Sequence, residues 1–238
     1  MRMRIYPLGD ATLIVEVGDR IDEGTHERVQ QALRALEAAR LPGVLDLVPT
    51  FTTVAVYYNP AALLAAGASA GAEFEWLESR VRQVPALGGS RLRPSPSRRT
   101  VEIPVCYGGE FGPDLAMVAE RVKRKPEDVV KLHHQASYIV FQIGFAPGFP
   151  YLGGLPSVLS LPRRPEPRVQ VAPGSVGIAG GQSCVYPLAT PGGWHLIGRT
   201  PLRLFRPAET PPTLLGVGDR VKFRPVTAEE FARLQEAP

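Results

Sequence analysis

Two cysteines, one asparagine (Asn59) and four lysines are all that this 238-residue chain contains of those types, and each scarcity excludes something. Cys106 and Cys184 lie far apart and neither has a Cys-x-x-Cys partner, so no disulfide framework or zinc knuckle is read from them. The four histidines, His26, His133, His134 and His195, show no zinc-type spacing. His133 and His134 are adjacent, so on a helix they point about 100° apart and cannot share one metal. Long apolar runs are missing too. The Ala-rich stretch 61–72 is too short and too weakly hydrophobic to span a bilayer. Residues 1–10 read as a strand rather than as a basic segment ahead of an apolar core, so no signal peptide is read and a cytoplasmic location is expected. The net charge is +4, but the basic residues are dispersed. The densest basic run, 91–99, reads as a linker, and 121–125 alternates with apolar residues as the solvated face of a helix. With no basic stripe interleaved with aromatics, neither nucleic acid nor a membrane is an expected partner.

Catalytic signatures are equally sparse. There is no Gly-x-x-x-x-Gly-Lys-Ser/Thr phosphate loop. Gly174, Gly177 and Gly180 recur every third residue without the Gly-x-Gly start or the following helix of a dinucleotide fold. Gly174-Ser175-Val176-Gly177 is not a nucleophile elbow, and Ser175 reads as a turn-stabilising hydroxyl. No pair of carboxylates falls in the regions that otherwise look functional, where Glu166 is the nearest acid. A chain so equipped supplies part of a site.

Three blocks stand out instead: residues 143–155, 171–182 and 191–201. They mix aromatics, prolines, glycines and isolated polar groups, with little helical or strand periodicity. Connecting loops are ordinarily short and polar. Proline fixes φ and glycine permits φ > 0, so such blocks can hold a few side chains in an unusual surface geometry. Arg168, Gln182, His195 and Arg199 could hold a carboxylate, amide or phosphate, and Phe145, Phe149, Tyr151 and Trp194 could wall it. Arginine offers a permanently charged planar fork, glutamine both donates to and accepts from an amide, and histidine moves protons near neutral pH. Blander readings stand beside these: Arg168 as a surface loop residue, Trp194 as core, His195 as a half-exposed strand residue, and the blocks as tight turns between barrel strands. One apolar-floored groove containing Phe145, Phe149, Gln182, His195 and Arg199 is expected.

The remaining pattern gives one or two domains, with 44% hydrophobic residues to fill their cores. Residues 12–17 alternate as a strand. Thr25 can cap a helix reaching Arg40, with Val29, Ala32, Leu33 and Leu36 as its apolar stripe, and Pro42-Gly43 stops it. Strands follow at 44–48 and 52–58, then an amphipathic helix carrying Phe74, Leu77, Val81 and Val84. This describes a small helix-on-sheet domain over 1–88, followed by an aperiodic linker over 89–99. Beyond it come a strand at 100–106, helices opened by Pro113 and Pro126, a strand at 138–143, and short strand-like pieces as far as 220–223. Thr227 and Glu230 form a capping box on a last helix with Phe231 and Leu234 inward. Many short strands with flanking helices favour a closed barrel over 100–238, so the fold class is α+β.

The blocks Gly144-Phe-Ala-Pro-Gly-Phe-Pro-Tyr-Leu-Gly-Gly154, Pro173-Gly-Ser-Val-Gly-Ile-Ala-Gly-Gly-Gln182 and Pro191-Gly-Gly-Trp-His-Leu-Ile-Gly-Arg-Thr-Pro201 resemble one family. Ile103-Pro-Val-Cys-Tyr-Gly-Gly-Glu-Phe-Gly-Pro-Asp114 adds a fourth matching block, and Leu8-Gly-Asp-Ala and Val48-Pro-Thr-Phe extend the resemblance over nearly the whole chain. The family is that of the bacterial 5-oxoprolinase B component, also called the Kip kinase-inhibitor or allophanate-hydrolase-subunit-1-like family, related to carboxyltransferase domains. The resemblance implies a ferredoxin-like α/β domain followed by a cyclophilin-like β-barrel. It implies partners, the C and A components of 5-oxoprolinase, with which such chains open the cyclic amide 5-oxoproline to glutamate at the expense of ATP. ATP, with Mg, would be held in a site shared with a partner component, and the chain alone would be inactive. It also implies two alternatives: a non-catalytic inhibitor of a sensor histidine kinase, or a component of an allophanate- or urea-degrading enzyme. Cys184 stands where the family pattern leads one to expect a small residue such as glycine, which questions close packing there.

Overall fold

A computed structural model of the chain describes residues 3–85, 87 and 99–236. The chain divides into two compact units, Met1–Ser97 and Arg98–Pro238. Residues 89–98 of the expected linker lie outside the described residues.

The first unit is a four-stranded antiparallel sheet with helices on one face. Its strands are β1 (Arg4–Pro7), β2 (Thr12–Glu16), β3 (Val44–Pro49) and β4 (Thr53–Tyr58), in the order β1-β2-β4-β3. Helix α1 (Glu23–Ala39) begins one turn earlier than its apolar stripe suggests. Asp22, not Thr25, is the cap: its carboxylate accepts from the Thr25 backbone N–H at 2.7 Å, which satisfies one orphan donor of the first turn. Thr25 is instead fully buried. The helix ends on Arg40 in the left-handed conformation, φ 44°. Val29, Ala32 and Leu36 lock onto Leu13, Val15, Val54 and Val56 of the sheet, as the stripe predicts. The Ala-rich stretch opens with a short helix that its pattern does not announce, α2 (Pro60–Ala65). Asn59 caps it by accepting from Ala61 and Ala62, and Pro60 takes the first helical position, where no N–H is missed. Helix α3 (Glu73–Gln83) then buries Leu77 and Val81. The four-stranded order differs from a plain split β-α-β arrangement because β1, ahead of β2 in sequence, fills the edge position.

The second unit is a closed barrel of seven strands. These are β5 (Thr100–Tyr107), β6 (Tyr138–Ile143), β7 (Pro150–Gly153), β9 (Ser175–Ala179), β10 (Gln182–Val185), β12 (His195–Arg199) and β13 (Arg220–Pro225). Around the barrel they run in the order β10-β7-β6-β13-β5-β12-β9. Closure removes exposed edges. Among the described strands only β13 with β5 is a parallel pair, in register from Arg220–Thr100 to Pro225–Val105. Ile103, Val105, Val140, Leu152, Val176, Ile178, Val185, Ile197 and Phe223 fill the interior. Helices α4 (Leu115–Arg121) and α5 (Pro126–Gln135) pack on it through Leu115, Val118 and Val129. The final helix, α6 (Ala228–Glu236), forms half of the expected capping box. Thr227 accepts from the Glu230 backbone at 3.2 Å, but the Glu230 carboxylate goes to Arg224 at 2.9 Å rather than back to the cap.

The three blocks turn out to contain barrel strands. β7, β9, β10 and β12 lie inside them or at their edges, and all five residues of β9 are buried. They lack alternation because both faces are covered, which is the condition under which period-two patterning disappears. The outer cover includes a two-stranded ribbon, β8 (Arg168–Val171) with β11 (Thr190–Gly192).

Candidate functional site

The outer face of β9, β10 and β7 carries a second apolar layer made of Phe149, Val171, Ala179, Cys184, Tyr186, Trp194 and Leu196. Phe149 is its hub, edge-on to Phe145 at 5.3 Å, Tyr151 at 5.0 Å, Tyr186 at 5.1 Å and Trp194 at 6.3 Å. All four aromatics singled out from the sequence therefore converge. They differ in exposure: Phe149 and Trp194 are 1% and 4% exposed and act as floor, whereas Phe145 is 64% exposed and Tyr151 is half-buried. Phe145 is held in a left-handed conformation, φ 69°, in a tight turn where Gly144 N–H reaches Phe149 O at 3.1 Å and Phe149 N–H reaches Ala146 O at 3.0 Å. Non-glycine residues adopt that region at a cost.

Close packing at Cys184 is real and has a partner. The thiol is fully buried, and a Cβ placed on Gly177 would come within 3.2 Å of its sulfur and 3.0 Å of Trp194 Cβ. Glycine at 177 makes room for the sulfur that the family pattern does not anticipate. Burial raises the Cys184 thiol well above its usual range, so the sulfur packs as a small hydrophobe. Cys106 is also a free, buried thiol.

The polar residues fare differently. Arg168 donates to Asp114 Oδ1 at 2.7 Å, and Arg164 joins the same oxygen at 3.2 Å. Asp114 Oδ2 accepts from the Leu196 backbone N–H at 2.7 Å, so one buried carboxylate ties the Arg164–Arg168 loop to β12. Arg168 is thus a structural pair, although its Nη1 is buried without a partner. His195 is 1% exposed, with Nε2 on the Pro162 carbonyl at 2.8 Å and Nδ1 unpartnered. Gln182 Nε2 is likewise buried and unpartnered. Arg199 donates from Nε to the Pro173 carbonyl at 2.9 Å and pairs with no carboxylate among the described residues.

Register separates these groups. On β9, Gln182 faces Ala179 and His195 faces Ile178, whereas Arg199 faces Ser175. Four residues of strand put the Cα positions of Ala179 and Ser175 about 13 Å apart. Gln182 and His195 therefore lie at one end of β9, and Arg199 lies at the other.

Two groups escape a reading of the sequence. Asp114 is one: its arginine partners are 50 and 54 residues away, and nothing local signals them. The other is a hydrogen-bonded thread on the core side. Tyr107 Oη lies 2.8 Å from His133 Nδ1, His133 Nε2 lies 3.0 Å from Ser183 Oγ, and Ser183 donates to Gly177 O at 3.2 Å. That last acceptor sets the direction: Ser183 accepts from Nε2–H, and Nδ1 accepts from the tyrosine hydroxyl. Complete burial pushes His133 down from 6.5 to about 3, so it stays neutral. Its outer end, Tyr107, lines a cavity of about 530 Å³ with Pro126, Val130, Lys131 and His134. His133 points inward and His134 outward, and no cluster of metal-ligating side chains exists among the described residues. Among those residues no helix is long and apolar enough to cross a membrane.

These features define a class first: a mixed α/β protein whose second unit is a closed seven-stranded barrel with an aromatic layer on its outer face. A family profile described as carboxyltransferase domain, subdomain C and D, matches residues 3–215. The 5-oxoprolinase B subunit of Bacillus subtilis (strain 168) is 43% identical over 239 residues, covering 99% of this chain and 98% of that one. The protein of the same name from Escherichia coli O157:H7 is 41% identical over 224 residues, covering 94% and 96%. The chain belongs to the carboxyltransferase subdomain C and D family, in the branch of the 5-oxoprolinase B subunits. Among solved structures, TTHA0988 superimposes with a TM-score of 0.75 at 34% identity, over 91% of this chain but 40% of that one. The chain thus spans less than half of that longer polypeptide.

Proposed function

We propose that this chain is the B component of an ATP-dependent 5-oxoprolinase, contributing part of a site completed by the C component and working with the A component. The observation that carries the reading is 43% identity running end to end through both this chain and its B. subtilis relative. On this reading the first unit is a ferredoxin-like sheet with its edge strand supplied from the start of the chain, and the barrel is cyclophilin-like.

A lactam is a poor electrophile, and ATP would supply the phosphoryl group that turns its oxygen into a leaving group. Such chemistry needs positioning and positive charge more than a covalent nucleophile. The residues fit a contributing role. Ser175 and Ser183 are buried in strands, at 4% and 0% exposure, and are not placed for attack. Gln182 and Arg199 keep donor capacity for ligand groups, whereas Arg168 and His195 act as positioning residues through Asp114 and Pro162. The nucleotide, with Mg, belongs chiefly to the partner, since this chain has no phosphate loop.

The test is reconstitution. Glutamate formation from 5-oxoproline and ATP is measured for the purified chain alone, for the A and C components together, and for all three. Activity only in the complete mixture is expected. Robust turnover by the chain alone, or none in the complete mixture, overturns the proposal.

A further inference from the structure

Three arginines, two in a loop and one at the start of β8, have unequal fates. Arg164 and Arg168 share Asp114. Arg163, one residue before Arg164, is exposed, and among the described residues it has neither a hydrogen bond nor an ion pair. Its guanidinium carbon stands 5.7 Å from the centroid of the Trp194 ring. Cation–aromatic attraction is enough to bias a long side chain toward one place without consuming its N–H donors. Trp194 belongs to the outer aromatic layer. Tyr151, its ring 6.1 Å from Trp194, leads on through Phe149 to the exposed Phe145. Burial raises the Tyr151 hydroxyl, and the charge of Arg163 opposes that rise, as it does for the buried Cys184. Arg163 is therefore the cation beside this layer, and among the described residues it has no anion.

A second, independent sign points the same way. Gln182 lies on β10 two residues from Cys184, on the strand that pairs with Tyr151 and Gly153 of β7, and its Nε2 is buried without a partner. Buried amide donors are almost always satisfied, so an orphan one on a strand beneath the aromatic layer marks a place where acceptor atoms are missing.

We propose that Arg163, Tyr151 and Phe145 form a binding surface for a small carboxylate carried on a flat ring, with Arg163 holding the carboxylate and the two half-open aromatics covering the ring. This deepens the proposed function and rests on it for the identity of the ligand: 5-oxoproline is such a molecule, and nothing in the sequence alone singles out Arg163. Arginine matches a carboxylate with two parallel N–H donors, and an aromatic wall suits the apolar faces of a ring.

The full chain is titrated with 5-oxoproline, with neutral 2-pyrrolidinone (the same ring without the carboxylate) and with 2-furoate (another flat ring carboxylate). The readout is the Trp194 indole N–H resonance, assigned by its loss in Trp194→Phe. Wild type is expected to show a saturable shift with 5-oxoproline and one roughly tenfold or more weaker with 2-pyrrolidinone. Arg163→Gln is expected to lose the carboxylate preference, and Arg163→Lys to restore part of it. Arg163 is exposed, so both variants are expected to melt as wild type does, which is checked beside the titration. Unchanged carboxylate affinity in a folded Arg163→Gln protein overturns the inference, as does absence of any saturable response to either carboxylate. Arg163-dependent binding of 2-furoate without binding of 5-oxoproline keeps the site and instead overturns the assignment of the substrate.

Discussion

The barrel of this chain has two sides that treat buried polar groups in opposite ways. On the core side, Tyr107, His133, Ser183 and the Gly177 carbonyl form a thread in which every donor has an acceptor. On the outer side, across the sheet, Gln182 Nε2 and Arg168 Nη1 are buried and unpartnered, and Arg163 is unpaired among the described residues. A satisfied network in a low dielectric rigidifies what it joins, and an unsatisfied one carries a standing cost. The thread therefore reads as structure: it pins α5 to the barrel wall and needs no ligand. The outer layer reads as a surface whose polar complement arrives from outside the chain. A related contrast in charge recurs along the chain nearby, where Asp114 pairs with Arg164 and Arg168 and leaves Arg163 over.

Cutting the thread is expected to have the largest effect. His133→Ala removes a fully buried ring packed 4.6 Å from Phe223 and strands the Tyr107 hydroxyl. Cavity formation together with an unpaired hydroxyl is expected to cost roughly 3–5 kcal/mol, read from urea denaturation. A loss below about 1 kcal/mol would show that the network contributes little and would break the comparison.

Next comes the loop. Asp114→Asn is expected to cost roughly 1.5–3 kcal/mol, because two arginines lose their charged acceptor while the side chain keeps its shape. Arg163→Gln in the same loop is expected to change stability by no more than about 0.5 kcal/mol. Equal losses at the two positions would erase the distinction between satisfied and spare arginines.

The thread also predicts a direction with pH. His133 is pushed down to about 3 in the folded chain, against 6.5 for the free side chain. Between those values the unfolded state binds the extra proton, so stability rises with pH. The contribution is fully present above 6.5 and is lost as pH falls towards the folded value. Between about pH 7 and pH 5 the loss is expected to be about 2 kcal/mol, at most about 1.4 kcal/mol per pH unit. Comparison with His133→Gln isolates the residue from His26 and His195, since only the difference between the two proteins is assigned to it. Parallel curves for the two would remove His133 as the source.

How much of this is legible in the sequence depends on the range of the interaction. Strand β6 shows its ends, Tyr138–Ile143, and Pro126 places the start of α5, because local propensity and proline chemistry decide both. Helix α2 escapes a search for stripes because an alanine-rich stretch carries no strong one, although Asn59-Pro60 is a cap signal that could find it. The four aromatics stand out by composition, and they do converge. Their division into floor and rim, and the distance of Arg199 from Gln182, depend on strand register, which no local signal gives. Asp114 and the His133 thread depend on contacts between residues dozens of positions apart, beyond any local pattern.

The smallest expected effect has the opposite sign. Phe145 holds a left-handed backbone, φ 69°, while exposing 64% of its surface. A bulky residue is strained there and gains little by burial, so stability alone favours glycine. Phe145→Gly removes the strain but adds freedom to the unfolded chain, and the net change is expected to be stabilising and within about 1 kcal/mol. If the ring serves a ligand, that small gain accompanies weaker binding of ring carboxylates and a higher KM of the assembled complex, the usual exchange at a functional position. Phe145→Ala loses the ring and keeps the strain, so it separates the two contributions: binding falls in both variants, whereas melting temperature rises only in the glycine variant. Undiminished binding in both would confine the functional surface to Arg163 and Tyr151 and leave the strained turn at Phe145 without a role.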